Sequence, residues 1–268
     1  MQAETIWADV EAIRKRSPLV HNITNYVVMN TTANALLALG ASPVMAHAVE
    51  EVADMVGLTR AVGGALVINI GTLSAAWVDA MEKAMRAAAG AGVPIVLDPV
   101  GAGATPLRTA ACARLLDAAP VAVIRGNASE ILAVAGEAAR ARGVDSAHGT
   151  DAALAVARGL ARQRGCVVSV SGAVDLVTDG SRVIEVRQGV PMMTRVTGLG
   201  CTASALTGAF VAVNGDRLAA AAHAMAVMGM AGEIAAEGAE GPGSLQVRFI
   251  DALYNLGHGE IAARLVRS

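Results

Sequence analysis

Four hydrophobic runs of the chain each give way to polar and glycine residues suited to handling phosphate: NIGTLS (69–74), DPVGAGATP (98–106), RGNASE (125–130) and SGAVD (171–175). A fifth segment, VTGLGC (196–201), places Gly198 and Gly200 immediately before a predicted helix. Unpaired backbone N–H groups and the helix dipole can hold a phosphate or a developing negative charge at such a point. A Gly-x-Gly pair on its own equally fits a plain strand-to-helix turn, so the weight rests on the five segments together. Cys201 follows the pair, where a helix N-terminus lowers a thiol from its ordinary pKa of about 8.5 and lets it take a proton from a substrate alcohol. A buried, inert cysteine is the alternative.

Phosphate chemistry needs a counter-charge. Lys15 and Lys83 are the only lysines and neither follows a glycine, which excludes a P-loop nucleotidase and a protein-kinase arrangement. Positive charge must then come from arginine or a metal ion. Asp98 and Glu130 are the carboxylates best placed for a hydrated Mg²⁺, since hard oxygen ligands at strand ends can hold the ion through water while phosphates complete its shell. The competing reading is a turn at Asp98 before Pro99 and a helix start at Glu130. His21 lies in VHNITN beside residues able to line a polar pocket, whereas His47, His148, His223 and His258 are scattered without metal-ligand spacing. None of the histidines is assigned to catalysis.

The elements that must position these residues follow from the hydrophobic pattern. GALVINI (64–70), VPIVLD (93–98), VAVIRGN (121–127) and CVVSVSG (166–172) read as strands buried on both faces. Residues 75–89 and 151–164 are long enough and free enough of Gly and Pro to be crossover helices. That alternation predicts an α/β fold, a mainly parallel sheet with helices on both faces. Ligands of such sheets bind beyond the carboxyl ends of the strands, which is where the polar segments fall. DLVTDGSRVIEV (175–186) carries Asp-Gly between β-prone runs and predicts an antiparallel hairpin at a sheet edge. Residues 201–237 predict two helices broken around Asn214-Gly215-Asp216, and a third helix is expected over much of 244–267. No repeat or linker interrupts the 268 residues, which read as a single domain.

Composition narrows the function classes. With 21 Lys+Arg against 23 Asp+Glu and only two Trp, two Tyr and two Phe, the chain has neither the charge nor the stacking surface for nucleic acid. The longest apolar stretch, 218–232, is interrupted by His223 and falls short of the roughly 20 residues of a membrane span. The first residues lack the basic start and apolar core of a secretory signal, and three widely separated cysteines fit reduced thiols, so the cytoplasm is the expected compartment.

Read together, LVHNITNYVVMNTTANALLALGASPVM (19–45), EEVADM (50–55), NIGTL, LDPVGAGATPLRT (97–109), IRGNASEI (124–131) and VTGLGC closely resemble the hydroxyethylthiazole kinases, a branch of the ribokinase-like kinases. The resemblance covers nearly the whole chain and is weakest over 138–164. It implies ATP-dependent phosphorylation of the hydroxyethyl group of 4-methyl-5-(2-hydroxyethyl)thiazole in thiamine salvage, on one ribokinase-like domain. It also implies a homotrimer with the thiazole between neighbouring subunits. Carried over by motif, Gly198 and Gly200 would form the anion hole and Cys201 would occupy the position where most ribokinase-like enzymes place an aspartate base. Asp98 and Glu130 would organise Mg²⁺; Arg125, Ser171 and Thr197 would contact ATP, Ser171 standing where many relatives carry threonine. Met45, Asn25 and Gly198 would line the thiazole site. Leu199 departs from the alanine or threonine common between the two glycines and is expected to alter loop packing more than the backbone donors.

Three other functions compete. A kinase for hydroxymethylpyrimidine shares the fold, and fold alone does not separate the two alcohols; Met45 and the HNITN segment favour the thiazole. A non-catalytic nucleotide-binding protein is expected to have lost a metal carboxylate or an anion-hole glycine, and all four are present. A nicotinamide-dependent oxidoreductase lacks its G-x-G-x-x-G after the first strand.

Overall fold

The computed structural model of the chain describes residues 1–136 and 150–266. His148 and residues 138–149 of the stretch least like the resembled family lie outside the described residues. Among those described, one eight-stranded sheet has the order β2-β1-β3-β4-β5-β6-β7-β8. Its strands are β1 (Leu19–Ile23), β2 (Ser42–Val44), β3 (Ala65–Asn69), β4 (Ile95–Asp98), β5 (Val123–Asn127), β6 (Val167–Ser171), β7 (Asp175–Thr178) and β8 (Val183–Val186). The first six run parallel, and β7 and β8 complete the sheet as the expected antiparallel edge hairpin.

Helices cover both faces because the central strands carry aliphatic side chains on both sides. On one face Val20, Val67, Val96 and Val123 meet α1 (Ala3–Arg16), α2 (Met29–Leu39), α8 (Leu199–Val213), α9 (Arg217–Ala236), α10 (Pro242–Asn255) and α11 (His258–Leu265). On the other, Leu66, Ile68, Ile95, Leu97 and Ile124 meet α3 (Val52–Ala61), α4 (Ala75–Ala91), α5 (Pro106–Ala118), α6 (Ala128–Ala135) and α7 (Thr150–Arg164). This alternation of inward and outward side chains along each strand is the period-two pattern of a sheet buried on both faces. Local signals start the helices on time. Ser74 and Thr105 accept the backbone N–H of Trp77 and Arg108 at the starts of α4 and α5, and Asp216 caps α9.

Three expectations are corrected. The pattern did not reveal β1 and β2. β1 buries His21 and Asn22 at the centre of a strand, and β2 is three residues with Pro43 in the middle, tolerated because it lies at the sheet edge. The single helix expected over 244–267 is two, α10 and α11, since Leu256 and Gly257 leave the helical conformation between them. The expectation that the stretch around His223 falls short of a membrane span is revised, although its helix ends where the pattern put it. α9 has twenty residues and by length and composition alone would be enough to cross a membrane, yet 83% of its most apolar window is buried within the fold. It is the central helix of one core layer, and His223 inside it is satisfied by Asp9, whose Oδ2 lies 2.7 Å from Nδ1.

β1 and β2 matter for function because the chain leaves β1 in one direction for β2 and then crosses to β3 on the opposite side of β1. Loops diverge above the carboxyl ends of β1 and β3, which is the switch point where open α/β sheets bind ligands.

Candidate active site

The polar core of the crevice is built from strand ends. Asn69 and Asp98 are the last residues of β3 and β4 and sit in register. The Asn69 amide donates from Nδ2 to Asp98 Oδ2 at 2.7 Å, and its Oδ1 accepts from Asn25 Nδ2 at 2.8 Å and from the Gly71 backbone N–H at 3.0 Å. From the helix layer Ser204 of α8 donates to the same Asp98 Oδ2 at 2.8 Å. Asn25, Asn69, Asp98 and Ser204 are all buried, so a hydrogen-bonded chain crosses the crevice from the end of β1 to the end of β4 without using Asp98 Oδ1. Burial pushes the Asp98 carboxyl up to about 6, against the opposing pull of Arg125 and the Ser204 hydroxyl.

Arg125 of β5 forms the second cluster. Its guanidinium donates from Nη1 to the Gly200 carbonyl at 2.9 Å and from Nη2 to the Ser171 hydroxyl, while Nε is buried without a partner. Arg125, Ser171 and Gly200 line a cavity of about 510 Å³ together with Asp175 and the apolar Val190, Pro191, Met193, Met225 and Met228. A lining that combines a guanidinium and a hydroxyl with methionines and other apolar side chains suits a ligand with both an anionic group and a flat, largely apolar one.

Between the two clusters the chain turns into α8. Gly198 is its N-cap with φ +83°, and a Cβ there would lie 2.5 Å from Val28 Cγ1, so both the conformation and the close approach require glycine. Gly200 is therefore the second residue of the helix rather than a residue preceding it. The first turn has no side-chain cap, and the N–H groups of Leu199, Gly200 and Cys201 have no intrahelical acceptor. Leu199 packs on the core and also lines the Arg125 cavity.

Cys201 corrects an expectation. Its thiol is pushed up, by burial first and by the Asp98 charge second, and these outweigh hydrogen bonds to Asn69 and Asn25 and the Arg125 charge. Asn25 Nδ2 donates to its Sγ at 3.4 Å. Burial in the crevice beside a carboxylate opposes the thiolate that a helix terminus favours. Cys201→Ala is expected to lower kcat by less than about tenfold, below the roughly hundredfold at which a general base's contribution begins. Cys201→Asp is expected to hold or exceed the wild-type rate, and steady-state turnover of both variants checks this; an unchanged kcat in the alanine variant removes the base role altogether.

Thr197 also departs from expectation. It is exposed and lines a separate groove of about 180 Å³ with Thr31 and Asn34, outside the Arg125 cavity. Glu130 has a local role beside any metal role. It closes a capping box with Asn127, its Oε2 accepting from Asn127 N at 2.8 Å, and its Oε1 accepts from Gly101 N at 2.9 Å, which fastens the loop after β4 to α6.

Met45 follows β2, and Asn25 lies two residues beyond β1. An aromatic stack joins their loops: Trp77 lies flat on His47 at 4.3 Å and edge-on to Tyr26 at 4.6 Å. His21 adds a hydrogen bond from Nε2 to the Ala46 carbonyl at 2.8 Å, and burial holds its pKa down, so it acts as a neutral strut. Arg108 ties the loops after β3 and β4 by donating to the carbonyls of Ile70 at 2.7 Å, Val100 at 2.6 Å and Gly71. Sequence reasoning singled out neither Asn69, Ser204 nor Arg108. The one available signal was that Asn69 opens NIGTLS at a strand end; Ser204, one turn beyond Gly200, carries no motif.

The whole chain has close counterparts. Residues 10–259 match the model of the hydroxyethylthiazole kinase family. A hydroxyethylthiazole kinase of Syntrophus aciditrophicus is 58% identical over 263 residues, covering 98% of this chain and 96% of the relative. The structure of a hydroxyethylthiazole kinase protein from Pyrococcus horikoshii superposes with a TM-score of 0.86 at 47% identity over 96% of each chain. A ribokinase-like superfamily protein from Enterococcus faecalis shares the fold alone, with a TM-score of 0.60 at 14% identity over 88% of this chain and 86% of its own. The matched length, the identity and the crevice at the β1/β3 switch point agree: the chain belongs to the hydroxyethylthiazole kinase family, a kinase family of thiamine salvage.

Proposed function

We propose that the protein transfers the γ-phosphoryl group of ATP to the hydroxyethyl oxygen of 4-methyl-5-(2-hydroxyethyl)thiazole, with Arg125 and the α8 N-terminus flanking the reacting phosphoryl. The observation that carries this reading is the uncapped first turn of α8, whose Gly200 lines the Arg125 cavity while Cys201 accepts from Asn25 of the buried Asn25–Asn69–Asp98 chain. The base of ATP suits the methionines of the lining, and its phosphates suit Arg125, Ser171 and Gly200. The alcohol fits between Asn25, Met45 and Gly198. Attack of the alcohol oxygen on the γ-phosphorus forms one P–O bond as the bond to the β-phosphate oxygen breaks, and ADP leaves. In a loose transition state the alcohol proton stays attached until late and passes to the new phosphate ester or to water, so a neutral Cys201 is no obstacle. Backbone N–H groups of the first helical turn and the Arg125 guanidinium hold the charge that spreads over the phosphoryl oxygens.

Asp98 and Glu130 fit a hydrated Mg²⁺. Asp98 Oδ1 takes no donor from the described residues, and each Glu130 oxygen takes a single N–H, but no group of three carboxylates, histidines or cysteines converges among the described residues. Water and phosphate oxygens would therefore supply most of the shell, and the ion would neutralise charge on the β- and γ-phosphates. A homotrimer is supported by the openness of the acceptor side: beside Asn25, Tyr26 and Val27 are 66% and 61% exposed, a surface that a neighbouring subunit would cover. A cytoplasmic compartment suits the reduced cysteines.

Coupled ATP turnover with Mg²⁺ tests the reading, offering 4-methyl-5-(2-hydroxyethyl)thiazole and hydroxymethylpyrimidine in parallel and weighing the product by mass. Thiazole phosphate is the expected product, and the same preparation, sized by light scattering, is expected as a trimer. Preference for the pyrimidine would move the substrate and keep the kinase; no transfer to either, with ATP bound, would remove the catalytic reading.

A further inference from the structure

The apolar wall of the cavity is a loop segment laid against α9, and the way it is fastened points to a residue outside the site described above. Gln188, Gly189, Val190 and Met193 line the cavity from one side. A Cβ on Gly229 would lie 2.5 Å from the Gln188 carbonyl carbon, and one on Gly232 would fall 2.2 Å from Met193 Sδ. The segment therefore rests directly on the backbone of α9, with glycines one turn apart making room. Glu233, the next residue on that face, accepts the Gly189 backbone N–H through Oε1 at 2.9 Å, and Gly189 itself has φ +124°, a conformation reserved for glycine.

The other oxygen of Glu233 points away from the cavity. Arg264 of α11 donates from Nη1 to Glu233 Oε2 at 3.3 Å and from Nη2 to Glu237 Oε1 at 2.7 Å, with its own side chain only 8% exposed. Neither Glu233 nor Arg264 lines the cavity. We infer that Glu233 is a positioning residue for the nucleotide: held by Arg264, it clamps the segment 188–193 that forms the base-side wall, and so couples α11 to ATP affinity. A charge-assisted hydrogen bond to a single backbone N–H, at a left-handed glycine that no neighbouring residue replaces, is a strong local restraint. Its loss frees the wall without touching the alcohol side, Asp98 or the α8 N-terminus. The inference rests on the reading of this cavity as the ATP site.

Steady-state kinetics of the full chain decide it. Glu233→Ala is expected to raise the KM for ATP about tenfold, the scale of one charge-assisted hydrogen bond, with kcat and the KM for the alcohol within about twofold of wild type. Glu233→Gln keeps an acceptor oxygen for the Gly189 N–H and is expected to return the ATP KM to near the wild-type value. Glu233→Asp, one methylene too short to reach, serves where the alanine variant does not fold and is expected to behave like it. An unchanged ATP KM, equal rises in both KM values, or a glutamine variant as impaired as the alanine one would overturn the inference. Arg125→Ala run alongside separates the two failures. If it weakens ATP binding while Glu233→Ala and Glu233→Asp do not, the clamp fails alone; if none moves the ATP KM, the cavity is not the nucleotide site and the clamp falls with it.

Discussion

Asp98→Asn is expected to cut kcat/KM on the order of a thousandfold, the scale set by charge-stabilising groups in phosphoryl transfer, while making the protein more stable near pH 7. The substitution keeps the shape and an oxygen to accept from Asn69 and Ser204, and it removes the charge that would organise a hydrated cation. The stability gain follows from the raised carboxyl. Folding lifts Asp98 from 3.8 to about 6, mainly by burial, so the folded state holds the ionised form at a cost. That cost is absent below the unfolded value and fully present above about 6, so wild-type stability from this group rises as pH falls through that window. Two pKa units correspond to about 3 kcal/mol, an order-of-magnitude ceiling on what the neutral amide recovers. Melting both proteins near pH 7 and near pH 4 checks it: the variant should melt higher at about pH 7, and the difference should close at about pH 4. The same titration predicts that wild-type kcat/KM falls as pH drops below about 6. A variant less stable than wild type near neutral pH would mean that the carboxylate is held by partners better than its burial implies.

Arg125→Ala is expected to lower kcat/KM by about 10³, within the range found for arginines that face a transferring phosphoryl group. Three effects add in one direction. The cavity loses the guanidinium that lines it, the Gly200 carbonyl loses its donor, and the Ser171 hydroxyl loses its anchor. The buried, unpartnered Nε marks the guanidinium as incompletely satisfied by the protein alone. Arg125→Lys should recover only part of the loss, because an ammonium cannot span the Gly200 carbonyl and the Ser171 hydroxyl with planar geometry. Arg125 also pulls the Asp98 pKa down, so its removal should move the acid limb of the pH profile upward. Steady-state kinetics across pH for the two variants test both parts; an acid limb that stays in place would separate Arg125 from Asp98 electrostatically.

Much of the fold was legible because the central strands are short aliphatic runs ended by polar residues, and the helices between them are long and capped. β3 to β6, the edge hairpin and the break between α8 and α9 fall where the pattern put them. β1 and β2 escaped because polar residues occupy β1 and a proline sits in β2. Those residues look wrong for strands until their partners are known. His21 reaches the Ala46 carbonyl across the loop through Nε2, and Pro43 needs no second neighbour at the edge.

The sequence by itself determined the local placement of the candidate residues: Asp98, Arg125 and Ser171 belong to strand-end segments and the Gly198–Gly200 turn to a helix start, and the roles proposed for them rest on the motifs taken together. Only the tertiary structure decided how they meet. The Asn69 bridge between Asn25 and Asp98, the Ser204 hydroxyl reaching Asp98 from another layer, the separation of Thr197 from the Arg125 cavity and the raised thiol of Cys201 all depend on residues distant in the chain. The physical reason is that hydrogen bonding and desolvation are set by three-dimensional neighbours. Residue type and local conformation place a group at a strand end or helix terminus, but the charges and burial around it fix its protonation and its partners.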